Sequence, residues 1–273
     1  MYTEKLCSGG PYPLPLHIVE TDIDLYYHMA LSMYLDIEKN NRENRETVFI
    51  LPVGPVFQYR RFVFLLQQRP LRLAGVHWFF MDEYLDENRK LIDPKSPLSF
   101  RGFIASELSA AVPEGSGFDE AKVHFPDPDN PQDYDRMIQH LGGADTCFAG
   151  VGINGHIAFN EPPETPAEVE TFRASPTRVI RLSRETRAIN SNTALGGAYE
   201  KIPEYAVTVG FASVAGSKKV RVYMNRPWQK AVVRKLLFGP VTETFPASLL
   251  REHPDTEVIV TREVAELPGF GLR

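Results

Sequence analysis

Short apolar runs alternate with amphipathic segments along the whole chain, and this alternation limits what it can fold into. Residues 16–19, 48–51, 76–80, 123–125, 146–149, 178–182, 206–209, 220–224 and 258–260 have the length and composition of strands. Helical patterns lie between most of them. Thr21-Asp22-Ile23-Asp24 resembles a capping box with Asp24 in the usual Glu position. The helix it starts carries Tyr26, Ala30, Met33 and Ile37 on one face. Further helices are expected over about 56–68, 99–111 and 132–141, the last stopped by Gly142-Gly143. Ser183 caps another that ends near Gly196-Gly197. Pro227 suits the first position of a helix that runs to Phe238.

This order predicts an α/β fold. It is Rossmann-like, with a mostly parallel sheet, helices on both faces, and ligands at the strands' carboxyl ends. No repeat or linker divides the chain, so residues 1–273 are expected to form one domain, with 1–20 as an extended leader.

Composition narrows the function classes. The 273 residues are 43% hydrophobic, enough for a substantial core. No apolar run approaches the ~18–20 residues of a membrane span. The start, Met-Tyr-Thr-Glu-Lys, lacks the basic and apolar regions of a signal peptide. A net charge of −5 without a basic block speaks against nucleic acid as a partner. Two cysteines, Cys7 and Cys147, indicate no disulfide framework and fit a reduced, cytoplasmic setting. Cys147 reads better as a small core residue than as a nucleophile. The seven histidines show no metal-binding spacing.

Residues 145–163 concentrate the chemistry. A buried-strand pattern, 146–149, runs into Gly150, Gly152 and Gly155, then Asn154, His156, Asn160 and Glu161, closed by Pro162-Pro163. Glycines after a strand let the backbone turn tightly and approach a ligand. Asp82, in Met81-Asp82-Glu83-Tyr84, ends another apolar strand and would face the same crevice. On its own that stretch also reads as a solvated acidic turn. Lys230 sits in the first turn of a predicted helix, where an anion is favoured, though surface lysines on helices are ordinary.

Gly-Val-Gly-Ile-Asn-Gly-His-Ile-Ala-Phe-Asn-Glu-Pro at 150–162 resembles the signature of the glucosamine-6-phosphate deaminase (isomerase) family. Related 6-phosphogluconolactonases share the Gly-His turn but lack Phe-Asn-Glu-Pro. Met81-Asp82-Glu83-Tyr84 resembles the family's second motif, and the likeness runs from about residue 20 to 262. The resemblance implies that Asp82 moves a proton between C1 and C2 of an amino sugar phosphate. It implies that His156, coupled to Glu161 and Asn154, opens the sugar ring, and that no metal or organic cofactor is needed. Many members carry Asp at the position of Asn154. An amide cannot ionise, so Asn154 is expected to position His156 while Glu161 supplies the charge. Lys230 matches a phosphate-binding Lys, and Gly54 is what remains of a phosphate cradle.

That cradle departs from the family pattern. Leu51-Pro52-Val53-Gly54-Pro55-Val56-Phe57 has lost the family's hydroxyls, and Pro55 removes a backbone N–H. Asn192 stands where the family has a phosphate-gripping Arg. A phosphate dianion needs cations or several N–H donors. Arg60, Arg61 and Arg226 are candidate replacements, and each also reads as a solvated surface arginine. The expected partner is a small-molecule sugar or sugar phosphate. Three readings stay open: a deaminase on glucosamine 6-phosphate, a related aldose–ketose isomerase or deaminase on a sugar with a different or absent anionic group, and a non-catalytic sugar-binding relative. Family members are often oligomeric, which nothing in this sequence alone establishes.

Overall fold

The computed structural model describes residues 1–54, 56–165 and 168–269. Its strands, in chain order, are β1 (Leu16–Val19), β2 (Thr47–Leu51), β3 (Val76–Phe80), β4 (Asp82–Leu85), β5 (Val123–His124), β6 (Thr146–Ala149), β7 (Arg178–Arg181), β8 (Tyr205–Thr208), β9 (Lys219–Met224) and β10 (Thr256–Thr261). The helices are α1 (Asp22–Arg42), α2 (Gln58–Gln68), α3 (Phe100–Ile104), α4 (Pro131–His140), α5 (Val169–Arg173), α6 (Arg184–Leu195), α7 (Phe211–Ala215), α8 (Gln229–Phe238) and α9 (Arg262–Ala265). The capping box before α1 is complete, with Asp24 N–H on Thr21 Oγ1 at 3.3 Å and Thr21 N–H on Asp24 Oδ2 at 3.0 Å.

Seven strands make one parallel sheet in the order β1-β10-β9-β6-β2-β3-β5. Alternate residues of each central strand face opposite layers. Val48, Ile50 and Phe79 pack into a core with side chains of α4, α7, α8 and α9. Phe49, Leu51, Trp78 and Phe80 pack into a second core with α1, α2 and α3. Helices thus cover both faces. From β2 the chain builds outward through β3 to β5. It then returns to β6 and builds the other way through β9 and β10. The direction reverses between β2 and β6, and the crevice at their carboxyl ends is where such sheets bind ligands.

A second sheet, β4-β8-β7, is antiparallel and was not expected. Met81 is the joint between the two. Its N–H donates to Leu51 O at 2.9 Å, in the parallel sheet, and its carbonyl accepts from Val209 N at 2.7 Å, in the other. The apolar run of β3 therefore continues into a new strand, and Asp82 begins that strand.

Pro227 is not the first residue of α8. The helix begins at Gln229, whose backbone N–H bonds Arg226 O at 2.8 Å across a tight leading turn. Further along α8, Arg234 is fully buried. Its guanidinium donates to main-chain oxygens of Glu4 at 3.0 and 3.1 Å, of Lys230 at 2.8 Å and of Ala265 at 2.8 Å.

Candidate active site

The glycine loop after β6 is folded onto His156. Gly152 N–H donates to His156 O at 3.0 Å, and Gly155 N–H to Gly152 O at 3.0 Å. A Cβ on Gly152 would meet the His156 ring at 2.0 Å, so only glycine lets the ring lie over this turn. Gly155 has φ +88°, in the left-handed region, with the Phe245 ring close behind it.

Asn154, His156 and Glu161 come together as expected. Asn154 Oδ1 accepts from His156 N at 3.3 Å and lies 2.8 Å from His156 Nδ1. Asn154 Nδ2 donates to Glu161 Oε2 at 2.6 Å. The amide's orientation follows, because a backbone N–H faces one end and a carboxylate the other. Glu161 Oε2 lies 3.5 Å from His156 Nδ1. Burial pushes the Glu161 carboxyl up. The hydrogen bond and charge of His156, with bonds from Asn154 and Thr186, outweigh it and hold the carboxyl down at about 2. An amide oxygen and an ionised carboxylate can only accept. Nδ1 therefore carries the hydrogen, and Nε2 is the ring nitrogen left for proton exchange.

The rest of the loop is locked to the second sheet. Asn160 is fully buried, with Nδ2 on Ile157 O at 3.0 Å and on Val209 O at 2.9 Å. Its Oδ1 accepts from Arg178 Nη1 at 2.8 Å. Phe159 N–H donates to Thr208 Oγ1 at 3.0 Å. Thr208 is the cross-strand partner of Asp82, which sets the β4 carboxylate beside this loop.

Asp82 is buried at 8% exposure. Burial, and then the neighbouring Glu83 charge, raise its carboxyl from the ordinary 3.8 to about 8. The solvated acidic turn that the sequence left open is not what forms. Glu83 is fully buried and points elsewhere. It accepts from Ser99 Oγ at 2.8 Å and from the N–H groups of Phe100 at 3.1 Å and Arg101 at 2.9 Å, at the start of α3. Tyr84 Oη accepts from Asn190 Nδ2 at 3.0 Å.

The anion-binding candidates are less well placed. Gly54 lies exposed in the loop after β2, at the crevice, and Pro55 lies outside the described residues. Lys230 Nζ pairs with Glu266 Oε2 at 3.2 Å. Arg60 pairs with Glu107, with Nη2–Oε1 at 2.8 Å. Asn192 is exposed on α6. Among the described residues, no group of three or more His, Cys, Asp or Glu is arranged to hold a metal. No helix there is long and apolar enough to cross a membrane.

Sequence reasoning missed Ser183 and Thr186 at this site. Ser183 Oγ lies 3.2 Å from Asn154 Nδ2, and Thr186 Oγ1 lies 3.2 Å from His156 Nδ1. Only the cap role of Ser183 was legible.

A carboxyl raised toward neutral pH and an oriented imidazole, at the carboxyl edge of a parallel sheet, are groups able to do acid–base chemistry. The comparisons are consistent with this class. No family model matches the chain. It is 31% identical over 215 residues to a glucosamine-6-phosphate deaminase of Lachnoclostridium phytofermentans, covering 75% of this chain and 82% of that one. A solved monomeric glucosamine-6-phosphate deaminase superposes with a TM-score of 0.80 at 25% identity, covering 93% of this chain and 99% of that one. The fold is shared with a 6-phosphogluconolactonase of Trypanosoma cruzi, at TM-score 0.64 and 17% identity, over 92% of this chain and 95% of that one. The chain belongs to the glucosamine-6-phosphate deaminase family.

Proposed function

We propose that this chain converts glucosamine 6-phosphate, or a close analogue, to a ketose phosphate and ammonia. The observation that carries the reading is a raised, buried Asp82 whose cross-strand partner Thr208 bonds the loop of His156, together with a His156 whose Nδ1–H is fixed on Asn154. His156 exchanges a proton at the ring oxygen through Nε2, and ionised Glu161 stabilises the imidazolium while it lasts. With the ring open, Asp82 takes the proton from C2 and returns it to C1. The species between these two transfers is a C1–C2 enolamine with a proton on O1; protonation at C1 makes it a ketimine, water adds at C2, and ammonia leaves. A base with a pKa near working pH suits a proton that is taken and given back. One domain, built from both sheets, carries this machinery, because β4 and β8 in one sheet and β6 in the other all contribute.

The test is ammonia and ketose release from glucosamine 6-phosphate, beside free glucosamine. Turnover of the phosphosugar by the wild type, abolished in Asp82→Asn, is the expected result. Unchanged turnover in Asp82→Asn would remove Asp82 from the mechanism, and Glu161→Gln with unimpaired ring opening would remove the couple.

A second reading keeps the chemistry and changes the substrate's anionic group. It is favoured by the ion pairs Lys230–Glu266 and Arg60–Glu107, which leave both cations already neutralised. Silence on glucosamine 6-phosphate by a folded wild type, with turnover of another amino sugar, would select it.

A further inference from the structure

We infer that Ser183 and Thr186 are positioning residues for the His156 couple, acting on it through Asn154 and Glu161. The inference rests on the proton-transfer reading above. It begins from the amide at position 154. A carboxylate presents two like oxygens and works either way round. An amide has two unlike ends, and turning it over would set its oxygen against Glu161 and its N–H against Nδ1.

Ser183 anchors the correct end from a separate element, the start of α6. Its hydroxyl oxygen faces two N–H donors, Asn154 Nδ2 at 3.2 Å and Thr186 N at 3.1 Å. Both of its lone pairs are then used, so its own hydrogen goes to Thr186 Oγ1 at 3.1 Å. Thr186 also helps to hold the Glu161 carboxyl low. The remaining lone pair of Thr186 Oγ1 lies 3.2 Å from His156 Nδ1. Ser183 N–H adds a bond to Glu161 Oε1 at 3.3 Å. With Asn154 Oδ1 2.8 Å from Nδ1 as an acceptor, this arrangement holds the proton on Nδ1. Thr186 is fully buried, and no water is needed to complete the network.

A helix cap requires only the bond from Thr186 N to Ser183 Oγ. The contacts to Asn154 and to Thr186 Oγ1 exceed that need and point into the catalytic loop. α6 also reaches the opposite wall, because Asn190, one turn beyond Thr186, bonds Tyr84 on the strand of Asp82. The helix thus holds both proton-transfer groups in register.

Glycine caps helices nearly as well as serine, so Ser183→Gly removes the hydroxyl while sparing the cap. The experiment compares wild type, Ser183→Gly, Ser183→Thr and Thr186→Val by steady-state kinetics and by the low-field proton resonance of His156 Nδ1–H. In Ser183→Gly, kcat is expected to fall roughly tenfold, part of what a positioned acid–base group contributes, with KM held within about twofold. The resonance should be lost to exchange. Ser183→Thr should restore both, and Thr186→Val, which keeps the shape without the hydroxyl, should behave like Ser183→Gly. Ser183→Gly with kcat within about twofold of wild type and the resonance in place would overturn the inference, as would failure of Ser183→Thr to restore them. If the wild type releases no ammonia, the functional reading fails, and the resonance alone still decides the positioning role.

Discussion

Replacing Asp82 by Asn should abolish turnover and also stabilise the fold, by an amount that depends on pH. The carboxyl titrates at about 8 in the folded protein and at the ordinary 3.8 when unfolded. Below about pH 4 both states are protonated, and ionisation costs the fold nothing. Between that point and about pH 8 the unfolded chain ionises while the folded one resists, so the wild type loses stability as pH rises. The ceiling is about 1.4 kcal/mol per pH unit, or about 4 kcal/mol at pH 7. Local relaxation and water entry leave roughly half, ~2 kcal/mol. For a chain of this size that is about 4–8 °C in Tm. The amide that replaces the carboxyl has a similar shape and never ionises, so the variant escapes this cost. The assay is chemical or thermal unfolding of both proteins at pH 5 and pH 8. The variant should gain on the wild type by more at pH 8. An equal difference at both values would refute the burial argument, and with it the account of how Asp82 is tuned.

Three other outcomes follow from the same geometry. Wild-type kcat/KM should rise about tenfold per pH unit below the Asp82 midpoint and level off above about pH 9, since the base must be ionised; a flat profile over that span would count against Asp82 as the base. Gly152→Ala drives a Cβ into the His156 ring, at 2.0 Å from Cε1, and should cost roughly 10²-fold in kcat with little loss of fold; near-wild-type turnover would show that the ring has room to move. Asn154→Asp sets a second carboxylate against Glu161 across a 2.6 Å contact, so one carboxyl must rise and the pH–rate profile should gain an inflection on its acid side. An unchanged profile would mean that the two side chains do not touch in the working enzyme.

Local features of this chain were legible, and long-range ones were not. The capping box at Thr21, the glycine stop at Gly196 and the strand at 146–149 each rest on neighbours in sequence. The parallel sheet followed from their alternation. The second sheet escaped because no turn residue separates Phe80 from Asp82, and β4 pairs with residues at 205–208, far along the chain. Pro227 suggested a helix start two residues early because a tight turn precedes α8, and turn type there depends on Gln229 reaching back to Arg226 N. The cluster of Asn154, His156 and Glu161 was legible because eight residues contain it. Lys230 and Arg60 looked like free cations because Glu266 and Glu107 lie 36 and 47 positions away. Ser183 showed its cap in the sequence, but its second use depends on a loop that folds back from β6.

The buried guanidinium of Arg234 has a consequence for how the protein opens. Its acceptors are main-chain oxygens of Glu4, Lys230 and Ala265, and among the described residues no carboxylate pairs with it. If either peripheral segment lifts away, an uncompensated cation is left in the interior, so the two release together or not at all. Terminal segments usually exchange their amide hydrogens quickly and independently. Here residues near Glu4 and near Ala265 should protect one another and exchange at a common rate. α8 leads directly from the Gln229 side chain that holds Val151, so that shared opening event would also be felt in the glycine loop.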